Sequence, residues 1–170
     1  MAAEWTTWRS CTRYGEEAAG MASTARANDA TEDLSVTAGA TVLGVLTIAG
    51  RPEHVSEARA FVAKALGELH RSLDTAVLLT SELVTNAVMH SSSRCAGGTV
   101  SVLIAELPGG LRIEVADDGS DLSSPVVRGD VYASDGHGLF LVQALADQWG
   151  YLREDNGTMV WFWLGHPATP

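Results

Sequence analysis

Hydrophobic and polar residues begin to follow regular periods near residue 41 and do so almost to the C-terminus. Five segments alternate with a period of two, which is typical of strands that bury one face. These segments are 42–48, 100–105, 111–116, 149–153 and 159–164. Pro108-Gly109-Gly110 separates the second segment from the third, and Asn156-Gly157 separates the last two. Both pairs are therefore predicted to form hairpins.

Three other segments repeat hydrophobic residues every three or four positions, which predicts helices. The first begins at Pro52, the second has Asp74 as its predicted N-cap, and the third covers 138–148. Each helix carries one hydrophobic stripe and needs one sheet face to cover it. The pattern predicts an α/β fold, a two-layer sandwich in which helices cover one face of a mixed sheet.

Residues 1–39 lack this periodicity and are rich in Ala, Thr, Ser, Glu and Asp. They are predicted to be a flexible N-terminal tail, followed by one domain over 40–165 and a short C-terminal tail over 166–170. Two interpretations of Trp5, Trp8 and Tyr14 remain open. These residues are either without function, in a chain whose start has been assigned too far upstream, or part of a short docking segment.

Charge and composition narrow the function. The chain has 11 Lys and Arg residues against 21 Asp and Glu residues, a net charge of −10, which argues against a nucleic-acid surface. Cys11 and Cys95 are expected to be free thiols of a cytoplasmic protein, and the five histidines show no zinc-ligand spacing. The uncharged stretch over 36–50 is too short to span a membrane.

A row of polar residues lies along one side of the second predicted helix, next to its hydrophobic stripe. Glu82, Asn86 and His90 follow one another at four-residue spacing, beside a stripe that includes Leu83 and Ala87. A carboxylate, an amide and an imidazole in this position suit the floor of a cleft. The alternative is an ordinary solvated helix edge.

Two glycine-bearing segments favour the cleft. The strand over 111–116 ends in Asp117-Asp118-Gly119, and Gly136-His137-Gly138-Leu139 opens the third helix. Backbone N–H groups at a helix N-terminus attract phosphate, and glycines let the phosphate approach closely.

In this order, the three segments resemble the motifs of the Bergerat-fold (GHKL) ATPases, the superfamily of histidine-kinase catalytic domains, gyrase-type ATPases and heat-shock-90 chaperones. The row from Glu82 to His90 resembles the N box, and the two glycine segments resemble the two glycine boxes. The likeness covers about 41–164. It is strongest to the anti-sigma-factor serine/threonine kinases and to short actinobacterial ATP-binding regulators. Where a second glycine often follows the first glycine box, this chain has Ser120 and Asp121.

The resemblance implies ATP and Mg²⁺ as ligands and assigns a role to each motif. Glu82 is the expected general base and Asn86 the expected Mg²⁺ ligand. Asp117 is expected to bind the adenine amino group, with Gly119 leaving room for the base. The remaining expected ATP-binding residues are His90, Gly136, His137, Gly138, Leu139 and Thr158. Arg128 is expected to reach the γ-phosphate.

Three functions follow as hypotheses. The first is a protein kinase that phosphorylates a small antagonist of STAS type and binds a sigma factor. The second is a nucleotide-gated binding module with little or no turnover. The third, a detached histidine-kinase domain or small-molecule ATPase, fits least, because no phospho-acceptor helix is apparent. A homodimer is possible, since Trp161 and Trp163 suit either an interface or the core.

Overall fold

The computed structural model describes residues 39–119, 137–154 and 157–166. In these ranges the chain forms five strands and three α-helices. Their order is β1 (Thr41–Ala49), α1 (Val55–Leu66), α2 (Leu73–His90), β2 (Thr99–Leu107), β3 (Gly110–Asp117), α3 (His137–Leu145), β4 (Gln148–Glu154) and β5 (Gly157–Gly165). Short 3-10 turns, Pro52–His54 and Ser92–Arg94, precede α1 and follow α2. Most of the predicted tail, the connection over 120–136, Asn156 and the last four residues lie outside the described ranges.

The strands form one sheet in the order β1-β2-β3-β5-β4. Every neighbouring pair is antiparallel, so the prediction of a mixed sheet was wrong on this point. Two neighbouring strands can be parallel only if the connection returns the chain to the end of the sheet where the first strand began, and a single helix does this. Here two consecutive helices, α1 and α2, join β1 to β2. The chain therefore re-enters the sheet at the end where it left, and β2 runs opposite to β1.

All three helices lie on one face of the sheet, which confirms the predicted two-layer α/β sandwich. Hydrophobic residues of α2 that the sequence placed inward, Leu79, Leu83 and Val84 among them, are buried against this face. They meet residues such as Ile113 and Phe162, which come from adjacent strands and lie opposite each other in register. This burial is the main favourable contribution to folding and fixes α2 over the middle of the sheet.

The other face of the sheet carries the residues that alternate with the core. Phe162 is fully buried under the helices, whereas its neighbours Trp161 and Trp163 point the other way and are half-buried. The guanidinium of Arg112 lies 4.3 Å from the ring centroid of Trp161, and its Nε donates to Glu114 Oε1 at 2.9 Å. The two tryptophans are therefore not part of the core between sheet and helices, and the homodimer stays a prediction.

Two predicted helix limits differ from the structure. The helix predicted over 138–148 ends at Leu145, because the chain turns there into β4, where Gln148 pairs with Trp163. Ser72 rather than Asp74 is the N-cap of α2, and its side chain makes no capping hydrogen bond. Asp74 lies in the first turn, where a carboxylate favours the helix dipole. None of the helices in the described ranges is long and apolar enough to cross a membrane.

Candidate functional site

The polar row of α2 faces the start of α3. Glu82 and Asn86 are half-buried, whereas His90, the last residue of α2, is exposed. Only the first two residues of the predicted row are therefore enclosed by the fold. His90 lies one helical turn after Asn86, where its side chain is exposed to solvent.

Gly138 allows the close contact between these two helices. A Cβ atom at this position would lie 2.5 Å from Asn86 Nδ2 and 3.2 Å from Glu82 Cβ, closer than real side chains pack. Leu139, the next residue, is buried in the core and holds the first turn of α3 in place. The structure thus brings Glu82, Asn86 and Gly138 together. The first turn of a helix presents unpaired N–H groups, so this contact sets a carboxylate and an amide beside anion-binding backbone.

The end of β3 forms a second part of the site. Asp117 lies opposite Thr158 of β5, and the two side chains share the face that the helices cover. The backbone N–H of Gly119 donates to Asp117 Oδ1 at 2.7 Å. Gly119 has φ +70°, and a Cβ there would lie 3.1 Å from the Cα of Gly157. A glycine is needed both for this conformation and for the close approach to β5.

The carboxylates of Asp118 and Asp117 have different hydrogen-bond partners, although the two residues are adjacent. Its carboxylate is exposed and accepts a hydrogen bond from the backbone N–H of Thr99 at 2.8 Å. The backbone N–H of Asp118 donates in turn to Ser93 Oγ at 2.9 Å. Asp118 therefore anchors the segment to the start of β2, which leaves Asp117 as the acidic residue on the site face.

Ser93 joins this segment to the end of α2. It is 1% exposed, and its Oγ donates to the carbonyl oxygen of Thr99 at 2.6 Å while it accepts from Asp118. Its own N–H donates to Ser91 Oγ at 3.0 Å, and the N–H of Ser92 donates to the carbonyl oxygen of Gly119 at 2.6 Å. These serines were not among the predicted site residues. Serines are common just after the end of a helix, so the sequence does not single out Ser93. Only its burial in the structure distinguishes it from other such serines.

Burial changes the acidity of Asp117. It raises the pKa of the carboxyl from its ordinary value of 3.8 to about 6, and the negative charge of Asp118 adds to the rise. Hydrogen bonds from the backbone N–H groups of Gly119 and Thr158 act in the opposite direction. Asp117 is thus ionised at neutral pH but takes up a proton in mildly acidic solution. An ionised carboxylate in a half-buried cleft is a strong acceptor for an N–H donor.

Several predicted site residues are located only in part. Thr158 is buried beside Asp117, in agreement with its predicted neighbourhood. His137 begins α3, but its side chain is outside the described set, and so are Gly136 and Arg128. Their expected phosphate contacts remain predictions.

Together these features give an α/β sandwich whose helix-covered side carries a polar helix row, a half-buried aspartate at a strand end and a glycine near the start of the facing helix. Residues 48–164 match the family model of the histidine kinase-like ATPase domain, which is more than half of the 170-residue chain. The chain belongs to this family of ATP-binding domains. A comparison with curated proteins found no match.

Proposed function

We propose that this protein is an ATP-dependent serine/threonine protein kinase that also acts as an anti-sigma factor. In this proposal it phosphorylates a small STAS-type antagonist protein and binds a sigma factor, and phosphorylation decides which partner is held. The observation that carries the proposal is the contact of Glu82 and Asn86 with Gly138, which gathers a base, a metal-ligand type and a phosphate-binding backbone. Membership of the histidine kinase-like ATPase family supports ATP as the phosphoryl donor.

The adenine end of the nucleotide is assigned to β3 and β5. Ionised Asp117 would accept a hydrogen bond from the adenine amino group, and buried Thr158 would line the same part of the cleft. Gly119, which has no side chain, would leave room for the edge of the base. This assignment agrees with the burial and the raised pKa of Asp117, because a desolvated carboxylate gains most from a new donor.

The phosphate end is assigned to α2 and α3. The side-chain oxygen of Asn86 is a suitable ligand for Mg²⁺, which prefers neutral or anionic oxygen donors and retains several waters. When bound, Mg²⁺ would neutralise charge that develops on the phosphate oxygens. The backbone N–H groups of Gly138 and Leu139 would face the phosphates, and Gly136, His137 and His90 are expected to contribute around them. Asn86 is half-buried, and its amide nitrogen rather than its side-chain oxygen is the atom nearest to Gly138, so a neutral oxygen donor of the kind that Mg²⁺ accepts is not engaged by that contact.

Glu82 would then act on the protein substrate. Its carboxylate lies one helical turn before Asn86, where it could accept the proton of a serine or threonine hydroxyl. The hydroxyl oxygen forms a bond to the γ-phosphorus, the bond from that phosphorus to the bridging oxygen breaks, and ADP leaves. A positioned base of this kind typically contributes about 10²–10⁴ in rate.

The partners are proposed to be proteins. A net charge of −10 disfavours binding to phosphate backbones, so in this proposal an effect on transcription passes through a sigma factor rather than through DNA.

The test is transfer of labelled phosphate from ATP to candidate antagonist proteins by the wild type and by Glu82→Gln. The variant keeps the size and most hydrogen bonds of Glu82 but cannot accept the proton. ATP binding and sigma-factor binding should survive, while transfer falls by about 10²–10⁴. Glu57→Gln is the matched control, because Glu57 is an exposed glutamate on α1 whose only described partner is His54.

Two results would change the proposal. Transfer by Glu82→Gln at the wild-type rate would remove Glu82 from the role of base. Absence of transfer by the wild type to every antagonist, with ATP-dependent partner binding intact, would make the protein the nucleotide-gated binding module.

A further inference from the structure

At the end of the sheet opposite the nucleotide cleft, three side chains from distant parts of the chain converge. His70 lies in the turn between α1 and α2, Glu106 near the end of β2, and His166 directly after β5. One ligand atom from each lies within 4.8 Å of the other two. Their distance from the cleft is set by β3, whose seven-residue rise from Gly110 to Asp117 corresponds to about 23 Å.

We propose that His70, Glu106 and His166 form a binding site for a divalent transition-metal ion, with Zn²⁺ as the preferred ion. The side-chain oxygens and imidazole nitrogens of this set favour Zn²⁺, Co²⁺ or Ni²⁺, whereas Mg²⁺ favours oxygen ligands alone. Two histidines and one glutamate, with a fourth position left for water, are a recurring zinc ligand set.

The separations fit this coordination. Tetrahedral Zn²⁺ holds nitrogen and oxygen ligands at about 2.0–2.2 Å, which places ligand atoms about 3.4 Å from one another. His70 Nε2 lies 3.5 Å from Glu106 Oε2, and His166 Nδ1 lies 3.3 Å from Glu106 Oε1. The centroids of the two imidazole rings are 5.6 Å apart, with the rings tilted by 56°. Each imidazole therefore already lies at coordination distance from one oxygen of Glu106, His70 from Oε2 and His166 from Oε1, and a small rotation of the carboxylate brings one oxygen to a shared ion.

The backbone around each ligand is fixed before any ion binds. The N–H of His70 donates to the carbonyl oxygen of Gly67 at 3.2 Å, and the N–H of His166 donates to that of Gly109 at 2.6 Å. Glu106 is held in register opposite Leu111 in the sheet. The three side chains are 17%, 31% and 24% exposed, so the site is shielded but remains open to an ion from solvent.

Hydrogen bonding shows what an ion would replace. Among the described residues, the buried Nε2 of His166 has no hydrogen-bond partner, and Nδ1 contacts Glu106. Coordination through Nδ1 places the ring proton on Nε2, so it breaks no hydrogen bond of this ring other than the contact with Glu106. His70 differs, because the N–H of Ser72 donates to its Nδ1 at 3.2 Å. Coordination through Nε2 moves the ring proton to Nδ1, so the Ser72 hydrogen bond at the start of α2 has to open.

The test is calorimetric titration of the tag-free full chain with ZnCl₂ in excess MgCl₂, with Cys11 and Cys95 replaced by serine so that thiols do not compete. One equivalent of Zn²⁺ should bind. His70→Gln and His166→Gln should each weaken binding by at least about 10-fold, the lower end of the loss seen for supporting residues of metal sites. His54→Gln is the matched control, since His54 also contacts a glutamate, Glu57, at 2.6 Å but lies outside the cluster. It should bind Zn²⁺ like the wild type.

Binding that is equally tight in the wild type and the cluster variants, or no binding by the wild type, would overturn the proposal. Circular dichroism without metal shows whether each variant folds. Should the variants unfold, amide spectra of the wild type decide instead. Zn²⁺ should shift the resonances of His70, Ser72 and His166, and shifts centred on His54 or His90 would refute the site.

Discussion

Replacing Asp117 with Asn should raise the stability of the ligand-free protein and lower its affinity for ATP. Burial raises the pKa of this carboxyl to about 6 from an ordinary 3.8. The folded state therefore holds a proton at pH values where the unfolded state has released it. Between about pH 4 and 6 the folded protein binds more protons, so its stability falls as the pH rises through this window.

The magnitude follows from the two pKa values. Each unit of pKa corresponds to about 1.4 kcal/mol. The raised pKa of Asp117 therefore lowers the free energy of unfolding by about 3 kcal/mol near pH 7.5 and by about 1 kcal/mol near pH 4.5. Asparagine carries no charge and keeps one oxygen for the N–H of Gly119. The lost hydrogen bond of the second oxygen costs about 1 kcal/mol at either pH. A net gain of about 2 kcal/mol is expected near pH 7.5, and almost none near pH 4.5.

The assay is urea unfolding of wild type and Asp117→Asn at both pH values, with no nucleotide present. Asp147→Asn is the matched control, because its exposed carboxylate also accepts one backbone N–H, that of Gly165, at 2.7 Å. In parallel, calorimetry should show ATP binding about 10-fold or more weaker in Asp117→Asn, the value of one hydrogen bond to a charged group. If Asp117→Asn gains the same stability at both pH values, or gains no more than Asp147→Asn, burial does not raise the pKa of Asp117 as argued above. An unchanged preference for ATP over GTP would remove Asp117 from adenine recognition.

Three further substitutions test other parts of the site. Asn86→Ala should weaken binding of ATP with Mg²⁺ in calorimetry, by about 10-fold or more for a lost metal contact, and equal affinity would show that Asn86 is not the ligand. Gly138→Ala should push the Asn86 amide aside and weaken nucleotide binding, and should also lower the melting temperature, because Glu82 Cβ, 3.2 Å from the added methyl group, has to yield as well. Ser93→Ala should cost about 1–3 kcal/mol in urea unfolding, since the N–H of Asp118 loses its buried partner, whereas the exposed Ser92→Ala should cost far less.

The parts of the fold that could be predicted from sequence are those with local signals. The strands and hairpins were found because alternation and the Pro108-Gly109-Gly110 turn act within a few residues. The pairing of distant strands has no such signal, and the prediction of a mixed sheet was wrong for this reason. The direction of β1 against β2 depends on α1 and α2 forming a helical hairpin, which is a property of tertiary packing.

The candidate site divides in the same way. Glu82 and Asn86 were predicted as site residues from their spacing on one helix, and their contact with Gly138 is visible only in the structure. Ser93 was missed because nothing near it in sequence marks it as buried. Its partners, Thr99 and Asp118, lie 6 and 25 positions away and meet it only when β2 and β3 pair.

The histidine cluster is the clearest case of chemistry that local spacing conceals. His70 and His166 are 96 positions apart, so no ligand motif contains both, and the sequence argued against a zinc site. One signal was nevertheless present. Glu106 and His166 continue the inward-facing series of Ile104 and Leu164, so each puts a polar group where the strand pattern requires a hydrophobic one. This signal indicates only that both groups lie at the same end of the helix-covered face, because β3 separates β2 from β5 in the sheet and the meeting of the two side chains depends on the tertiary fold.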